Sequence, residues 1–235
     1  MEVPGMNVSF AGIQAVRGDW SIAAQGVFEE GIHLVSGDVG SGKSTLALLL
    51  AGMSAPAPGT VEREGITSAM IAFQFPEFHV TGPDLESECK AWGVDPAPIL
   101  AAAGLRGREA IKPLDLSRGE LKRLVLACVL ARDYDLLILD EPFSSLDCME
   151  KERLCSSLSG RRRGITILFT HEQAFFPRVD RIWEIQKGVL LDRGRLPSAL
   201  GCWDHAPVVI KDLIARGRIP ANISRADLLE AACRT

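Results

Sequence analysis

The sequence predicts an α/β fold built on a mainly parallel sheet with crossover helices, and three observations carry that expectation. From Gly31 onward, strand-like apolar runs alternate with helical ones. The glycine-rich run Gly37 to Gly42 falls directly between a strand pattern and a helix pattern. Leu136-Leu137-Ile138-Leu139 is an unbroken apolar run, as expected of a strand buried on both faces.

The elements follow in order. Residues before Gly31 read as short strands broken by Gly5, Gly12, Gly18 and Gly26, which suits a small N-terminal antiparallel β subdomain. Core strands are expected at Ile32 to Ser36, Ala69 to Phe73, Leu136 to Asp140 and Ile165 to Phe169, with a helix over Lys43 to Ala51. Between Pro76 and Pro113 the pattern turns helical, and Pro76, Pro83, Pro96 and Pro98 cut it into short pieces. An inserted α-helical subdomain over about residues 77–115 is therefore expected. A helix over Leu121 to Ala131 resumes the core. Lys187-Gly188 then turns a hairpin between Arg181 to Gln186 and Val189 to Leu191. In the tail, Pro207 opens one helix whose Val209 and Leu213 lie one turn apart, and Gly217 stops it. Ser224 with Asp227 starts another, over Arg225 to Ala232. The domain reading is one unit over residues 1–200 and a small C-terminal helical extension over 201–235.

Composition narrows the function classes. A chain of 235 residues, 47% hydrophobic and 24% charged, can bury a large core. A net charge of -4 gives no electrostatic reason to invoke nucleic acid. The apolar runs Leu46 to Ala51 and Leu124 to Ala131 are far shorter than the roughly 18 residues a membrane span needs. Met1-Glu2-Val3-Pro4 lacks the basic and apolar regions of a secretory leader, so a cytoplasmic location is expected. The six cysteines include no C-x-x-C pair and no neighbouring histidine cluster, and reduced thiols are expected rather than a metal site.

The chemistry concentrates in two runs. Gly37-Asp38-Val39-Gly40-Ser41-Gly42-Lys43-Ser44 fits G-x-x-x-x-G-K-[ST] in the strand-to-helix context the motif demands. Phosphates need many donors in a tight space, and Gly37, Gly40 and Gly42 let the backbone curl so that N–H groups, including that of Ser41, point at an anion. Lys43 supplies a cation for the β- and γ-phosphates, Ser44 a hydroxyl for Mg²⁺, and Thr45 support at the α-phosphate. The bland alternative is a glycine-rich turn ahead of a helix. Asp140 and Glu141 end the apolar run at Leu136. Asp140 is suited to the magnesium shell, and Glu141 to accepting a proton from an attacking water.

Between these runs lies Leu116-Ser117-Arg118-Gly119-Glu120, which resembles the LSGGQ signature of ATP-binding-cassette (ABC) proteins. Gln74 resembles the Q-loop glutamine, Ser145-Leu146-Asp147 the D-loop, and His171 the switch histidine, all in family order over residues 31–194. The resemblance implies a P-loop NTPase, RecA-like core that binds ATP with Mg²⁺ and hydrolyses it. Gln74 would reach the magnesium or the attacking water, and His171 the γ-phosphate. Ser117, Gly119 and Glu120 would meet ATP held by a second cassette subunit, and Asp147 is likewise expected among the nucleotide-binding residues. As isolated residues Gln74 reads equally as a turn residue, His171 as a structural histidine and Asp147 as a helix cap. Arg118 stands where the family has glycine and Glu120 where it has glutamine, which bears on the hydrolytic competence of one site. Phe10 is the candidate to stack on adenine, with Trp20 a rival and burial under the sheet a third reading.

Gln74-Phe75-Pro76-Glu77, Ala91-Trp92-Gly93-Val94 and the tail from Pro207 to Ala232 look like the ATPases of energy-coupling factor (ECF) transporters, which import vitamins or cobalt and nickel ions. That likeness implies a homo- or heterodimeric pair working at the inner face of the cell membrane. Its partners there would be a transmembrane coupling protein and a membrane-embedded substrate-binding component. The Gln74 to His79 stretch would receive a coupling helix, and the tail would hold two ATPases together, or would cap its own domain. A conventional ABC importer or exporter would share every core residue. A soluble non-transport cassette usually carries two fused cassettes or a long coiled coil, and a non-hydrolysing module would be expected to lack Glu141.

Overall fold

The computed structural model describes residues 5–17, 20–161 and 163–233. The leader reading on Met1 to Pro4, Gly18 and the Trp20 side chain lie outside what it describes. Strands β1 (Asn7–Arg17) and β2 (Trp20–Glu29) form a long antiparallel hairpin rather than short broken strands. Gly12 does not end β1. With φ of 56° it takes up a register shift between Phe10 and Ile13, a place where a left-handed backbone favours glycine. β3 is Gly31–Gly37 and β4 is Thr60–Glu64. β4 pairs antiparallel with the outer edge of β1, a strand the sequence did not reveal because Thr-Val-Glu-Arg-Glu buries no residue fully.

The parallel core is β3 with β5 (Ala69–Ala72), β6 (Leu136–Asp140) and β7 (Ile165–Thr170). β8 (Arg181–Gln186) and β9 (Val189–Arg195) form the expected hairpin, and β8 also lies parallel against β3. One sheet results, in the order β4-β1-β2-β9-β8-β3-β7-β6-β5.

Alternation along the buried strands gives the sheet two apolar faces. Val35, Ile138, Ile167 and Phe169 point to the side carrying helix α1 (Lys43–Ala51) and the N-terminal hairpin, where Leu46, Leu50, Phe10, Phe28 and Trp183 complete the cluster. Leu34, Leu137, Leu139 and Leu168 point to the other side, under the insertion and the following helices. The insertion holds α2 (Leu85–Ala91) and α3 (Pro96–Ala102). Asp84 accepts the Ser87 N–H at 2.7 Å to cap α2, and Asp95 accepts the Ala97 N–H at 3.1 Å beside Pro96 at the head of α3. α4 (Arg118–Leu130) and α5 (Cys148–Ser159) follow. Cys128 of α4 and Cys89 of α2 are buried free thiols whose pKa values burial raises.

The tail holds α6 (Val208–Ala215) and α7 (Arg225–Cys233). Trp203, Ile210 and Ile223 join Phe176, Val179 and Ile182 in the same cluster as the sheet, so residues past 200 dock on the core through continuous apolar packing. The inward pair on α6 is Ile210 and Leu213, while Val209 is half exposed.

Candidate nucleotide-binding site

The loop after β3 curls at Gly40 and Gly42, whose φ angles of 81° and 101° favour glycine. Gly42 is the N-cap of α1 and no side chain caps it, which leaves the first-turn N–H groups to a ligand. Ser41 donates its N–H to the Asp38 carbonyl at 3.1 Å. Lys43 is buried and folds back over the loop, donating to the Gly37 and Asp38 carbonyls at 2.8 and 2.9 Å.

The C-terminal ends of β5, β6 and β7 meet this loop, as open α/β sheets dictate. Val39, Gly40, Gly42, Lys43, Ser44, Thr45, Gln74, Glu141 and His171 line one cleft. Beneath it Asp140 is 4% exposed and hydrogen-bonded to Ser44, and burial raises its carboxyl pKa. Its Oδ1 and the buried Ser41 Oγ have no hydrogen-bond partner among the described residues. A buried carboxylate oxygen without a donor, beside a hydroxyl, is what a hard divalent cation would satisfy, so these residues fit Mg²⁺.

Glu141 is held in a left-handed backbone, φ 47°, which a non-glycine residue adopts at a cost of about 1 kcal/mol or more. That turn aims its carboxylate into the cleft. Oε1 lies 2.7 Å from His171 Nδ1 and 3.5 Å from Lys43 Nζ, while Oε2 accepts from Thr170 Oγ1 at 3.2 Å and the His171 N–H at 3.3 Å. Thr170 escaped the sequence reading because a threonine ending a strand carries no motif.

Ser117, Gly119, Glu120 and Asp147 do not line this cleft. Ser117 caps α4, and Glu120 closes the capping box by accepting the Ser117 N–H at 2.8 Å and hydroxyl at 2.7 Å, with an ion pair to Arg108. Those Ser117 bonds, followed by Arg108, bring the Glu120 carboxyl down to about 2. Within this chain the carboxylate is tied to its own helix end. Gly119 lies against the Ser145 carbonyl so closely that a Cβ would sit 2.8 Å from it. Asp147 is the N-cap of α5, with Glu150 closing a second capping box.

Arg118 turns toward its own chain. Its guanidinium stacks over Phe75, 4.7 Å from the ring centroid, and pairs with Glu77 at 3.5 Å. One turn later on α4, the buried Lys122 donates to the Phe73 and Gln74 carbonyls, both at 3.1 Å, and burial draws its pKa down to about 8. Lys122 was also missed; the available signal was a lysine set among Leu121, Leu124, Val125 and Cys128 on an inward helix face. Phe10 requires a plain correction. It is 3% exposed and packs on Phe28 and Trp183, with centroids 5.2 and 6.2 Å away, so no face of the ring is open to a base. Among the described residues no phenylalanine, tyrosine or tryptophan lines the cleft.

The comparisons agree with this geometry. The family model described as "ABC transporter" matches residues 26–144, and the chain belongs to that family. It is 34% identical over 188 residues to the energy-coupling factor transporter ATP-binding protein EcfA1 of Thermotoga maritima, covering 69% of this chain and 71% of that protein. EcfA2 of the same organism is 32% identical over 232 residues, covering 86% of each chain. The thiamine import ATP-binding protein ThiQ of Mesorhizobium japonicum is 34% identical over 191 residues, covering 71% of this chain and 73% of that protein. Among solved structures, a dimeric ATP-binding cassette in a post-hydrolysis state with ADP and Pi aligns with a TM-score of 0.61 at 20% identity, covering 78% of this chain and 96% of that one. The protein is thus an ABC transporter ATPase subunit, an ATP-binding hydrolase on a P-loop NTPase fold. Among its described residues no helix is long and apolar enough to cross a membrane.

Proposed function

We propose that this chain is the ATP-hydrolysing subunit of an ECF-type importer, working as one of two cassettes beneath membrane partners. The observation that supports the hydrolytic reading is the convergence of Lys43, Ser44, Glu141 and His171 at one cleft, above a buried Asp140 that is hydrogen-bonded to Ser44.

The triphosphate rests on the first-turn N–H groups of α1, and Lys43 leaves its carbonyl partners for the β- and γ-phosphates. Ser44, Asp140 and Gln74 would hold Mg²⁺. Bound there, the ion would offset the negative charge of the triphosphate. Glu141 accepts the proton of a water whose oxygen bonds to the γ-phosphorus as the bond to the bridging oxygen breaks. His171, held by Glu141 Oε1, orients toward the γ-phosphate. Ser117, Gly119 and Asp147 serve the nucleotide of the second subunit, which is consistent with their absence from this chain's own cleft.

The likeness to EcfA1 and EcfA2 favours the ECF reading, as does the exposed pair Phe75 and Phe78 beside Gln74, suited to receive an apolar helix of a membrane coupling protein. The likeness to ThiQ keeps a conventional importer as the second reading. Tagged protein purified from native membranes in detergent, followed by mass spectrometry of its companions, separates them. An ECF-type coupling protein with a small substrate-binding membrane protein is expected; a conventional permease in its place overturns the ECF assignment.

A further inference from the structure

The segment after β9 reaches the phosphate loop. Trp203, 3% exposed, donates Nε1–H to Ser36 Oγ at 2.7 Å, one residue before the loop begins. Next to it, His205 stands between two carboxylates. Its Nδ1 meets Glu184, a fully buried residue of β8, and its Nε2 lies 3.3 Å from Asp38 Oδ1 in the phosphate loop. Glu184 is itself anchored: it accepts from Arg193 Nε at 2.5 Å and from the His205 main-chain N–H at 2.6 Å. The imidazole is therefore fixed on its inner side, and it is as an imidazolium, with a proton on each nitrogen, that it donates to Glu184 and attracts Asp38.

Asp38 is a costly residue to have at this place. Its main-chain carbonyl organises the loop by accepting from Ser41 N–H and Lys43 Nζ, and its neighbour Val39 lines the cleft. Its side chain is an exposed carboxylate beside a site built for a triphosphate. Without a restraint, the carboxylate is free to turn toward the anion it would repel.

We infer that His205 is a positioning residue that holds the Asp38 carboxylate away from the incoming triphosphate, so that the C-terminal extension sets the strength of the nucleotide grip. The inference rests on the ATPase reading and adds to it a residue outside every motif of the cassette.

The test is a rescue experiment on the full chain, with equilibrium ATP binding measured by calorimetry for the wild type, His205→Ala, Asp38→Asn and the double variant, and thermal unfolding followed in parallel. Because Asp38 is solvent-exposed, the effect is modest: His205→Ala should weaken ATP binding by about three- to tenfold. The double variant should bind ATP about three- to tenfold more tightly than His205→Ala, matching Asp38→Asn, while keeping any loss of melting temperature that His205→Ala causes. A purely structural role for His205 predicts that the double variant stays as weak as His205→Ala, and that result overturns the inference. Unchanged affinity in His205→Ala overturns it as well. A wild-type chain that binds no ATP would instead strike the nucleotide site itself, and this inference with it.

Discussion

Acid should weaken this fold through His79. The ring is buried, stacks on Phe73 with centroids 4.9 Å apart, and accepts the Phe73 N–H at Nε2, 2.9 Å away. Burial, helped by the Lys122 ammonium and opposed by Glu88, holds its pKa down to about 4, against 6.5 for the free side chain. Between those values the unfolded chain takes up a proton that the folded chain refuses. The stability contributed by neutral His79 is therefore full above pH 6.5 and drains away as the pH falls toward 4. The deficit amounts to about 2 kcal/mol at pH 5 and about 3 kcal/mol at pH 4. Urea unfolding at pH 7.5, 6 and 5 should be compared for the wild type and His79→Gln, which keeps an acceptor near the Phe73 N–H and cannot titrate. Carboxylate titration is common to both proteins and cancels in the difference. The stability gap between them should shrink, or reverse, by about 2 kcal/mol from pH 7.5 to pH 5. Parallel stability curves would refute the buried, neutral His79 and with it the packing that holds the Gln74 turn against α4.

Three further outcomes are expected. Arg118→Gly and Glu77→Gln should each cost less than about 1 kcal/mol in denaturant unfolding, and the double variant should fall short of their sum, since both remove one ion pair. Strict additivity would mean that the pair does not form in solution. Asp140→Asn should raise the Mg²⁺ concentration needed for half-maximal hydrolysis at least about tenfold while leaving ATP binding in EDTA unchanged, because it removes a cation ligand and not a phosphate contact; an unaltered Mg²⁺ titration counts against that ligand set. Phe10→Leu should cost about 1–2 kcal/mol of stability with ATP affinity within about twofold of wild type, and a selective loss of affinity would return Phe10 to the adenine.

How far the sequence could be read depended on how local each signal was. The helix Lys43–Ala51 was legible to the residue because Gly42 and Gly52, both left-handed, bracket it. β6 was legible because burial on both faces demands Leu-Leu-Ile-Leu. The cleft residues were readable because each follows a strand end, and strand ends of a parallel sheet converge whatever lies between them. Signals that need a distant partner were not readable. β4 exists because the outer edge of β1 pairs with it, and nothing within Thr60–Glu64 announces that. The parallel neighbour of β3 on its other side is β8, which local turn chemistry identified only as half of a hairpin. Phe10 looked available until the bulge after it set Val8, Phe10 and Ile13 all inward. The pairing of Glu120 with Arg108, twelve residues earlier, was not readable because nothing in the signature run announces a partner outside it. Trp203 and His205 carry no motif at all, and their meeting with Ser36 and Asp38 is a consequence of tertiary packing alone.

The idea underlying the functional reading is that one chain holds only half of each reaction site. Its cleft contains the phosphate loop, Glu141 and His171, while the α4 helix end at Ser117 and Gly119 lies elsewhere on the molecule. Sedimentation velocity of Glu141→Gln with and without Mg²⁺ and ATP measures this directly. The variant should bind ATP without turning it over and sediment as a dimer only when nucleotide is present, while the wild type returns to monomer as ATP is consumed. A variant that remains monomeric at saturating ATP, beside a wild type whose rate per chain is unchanged by extreme dilution, would contradict it.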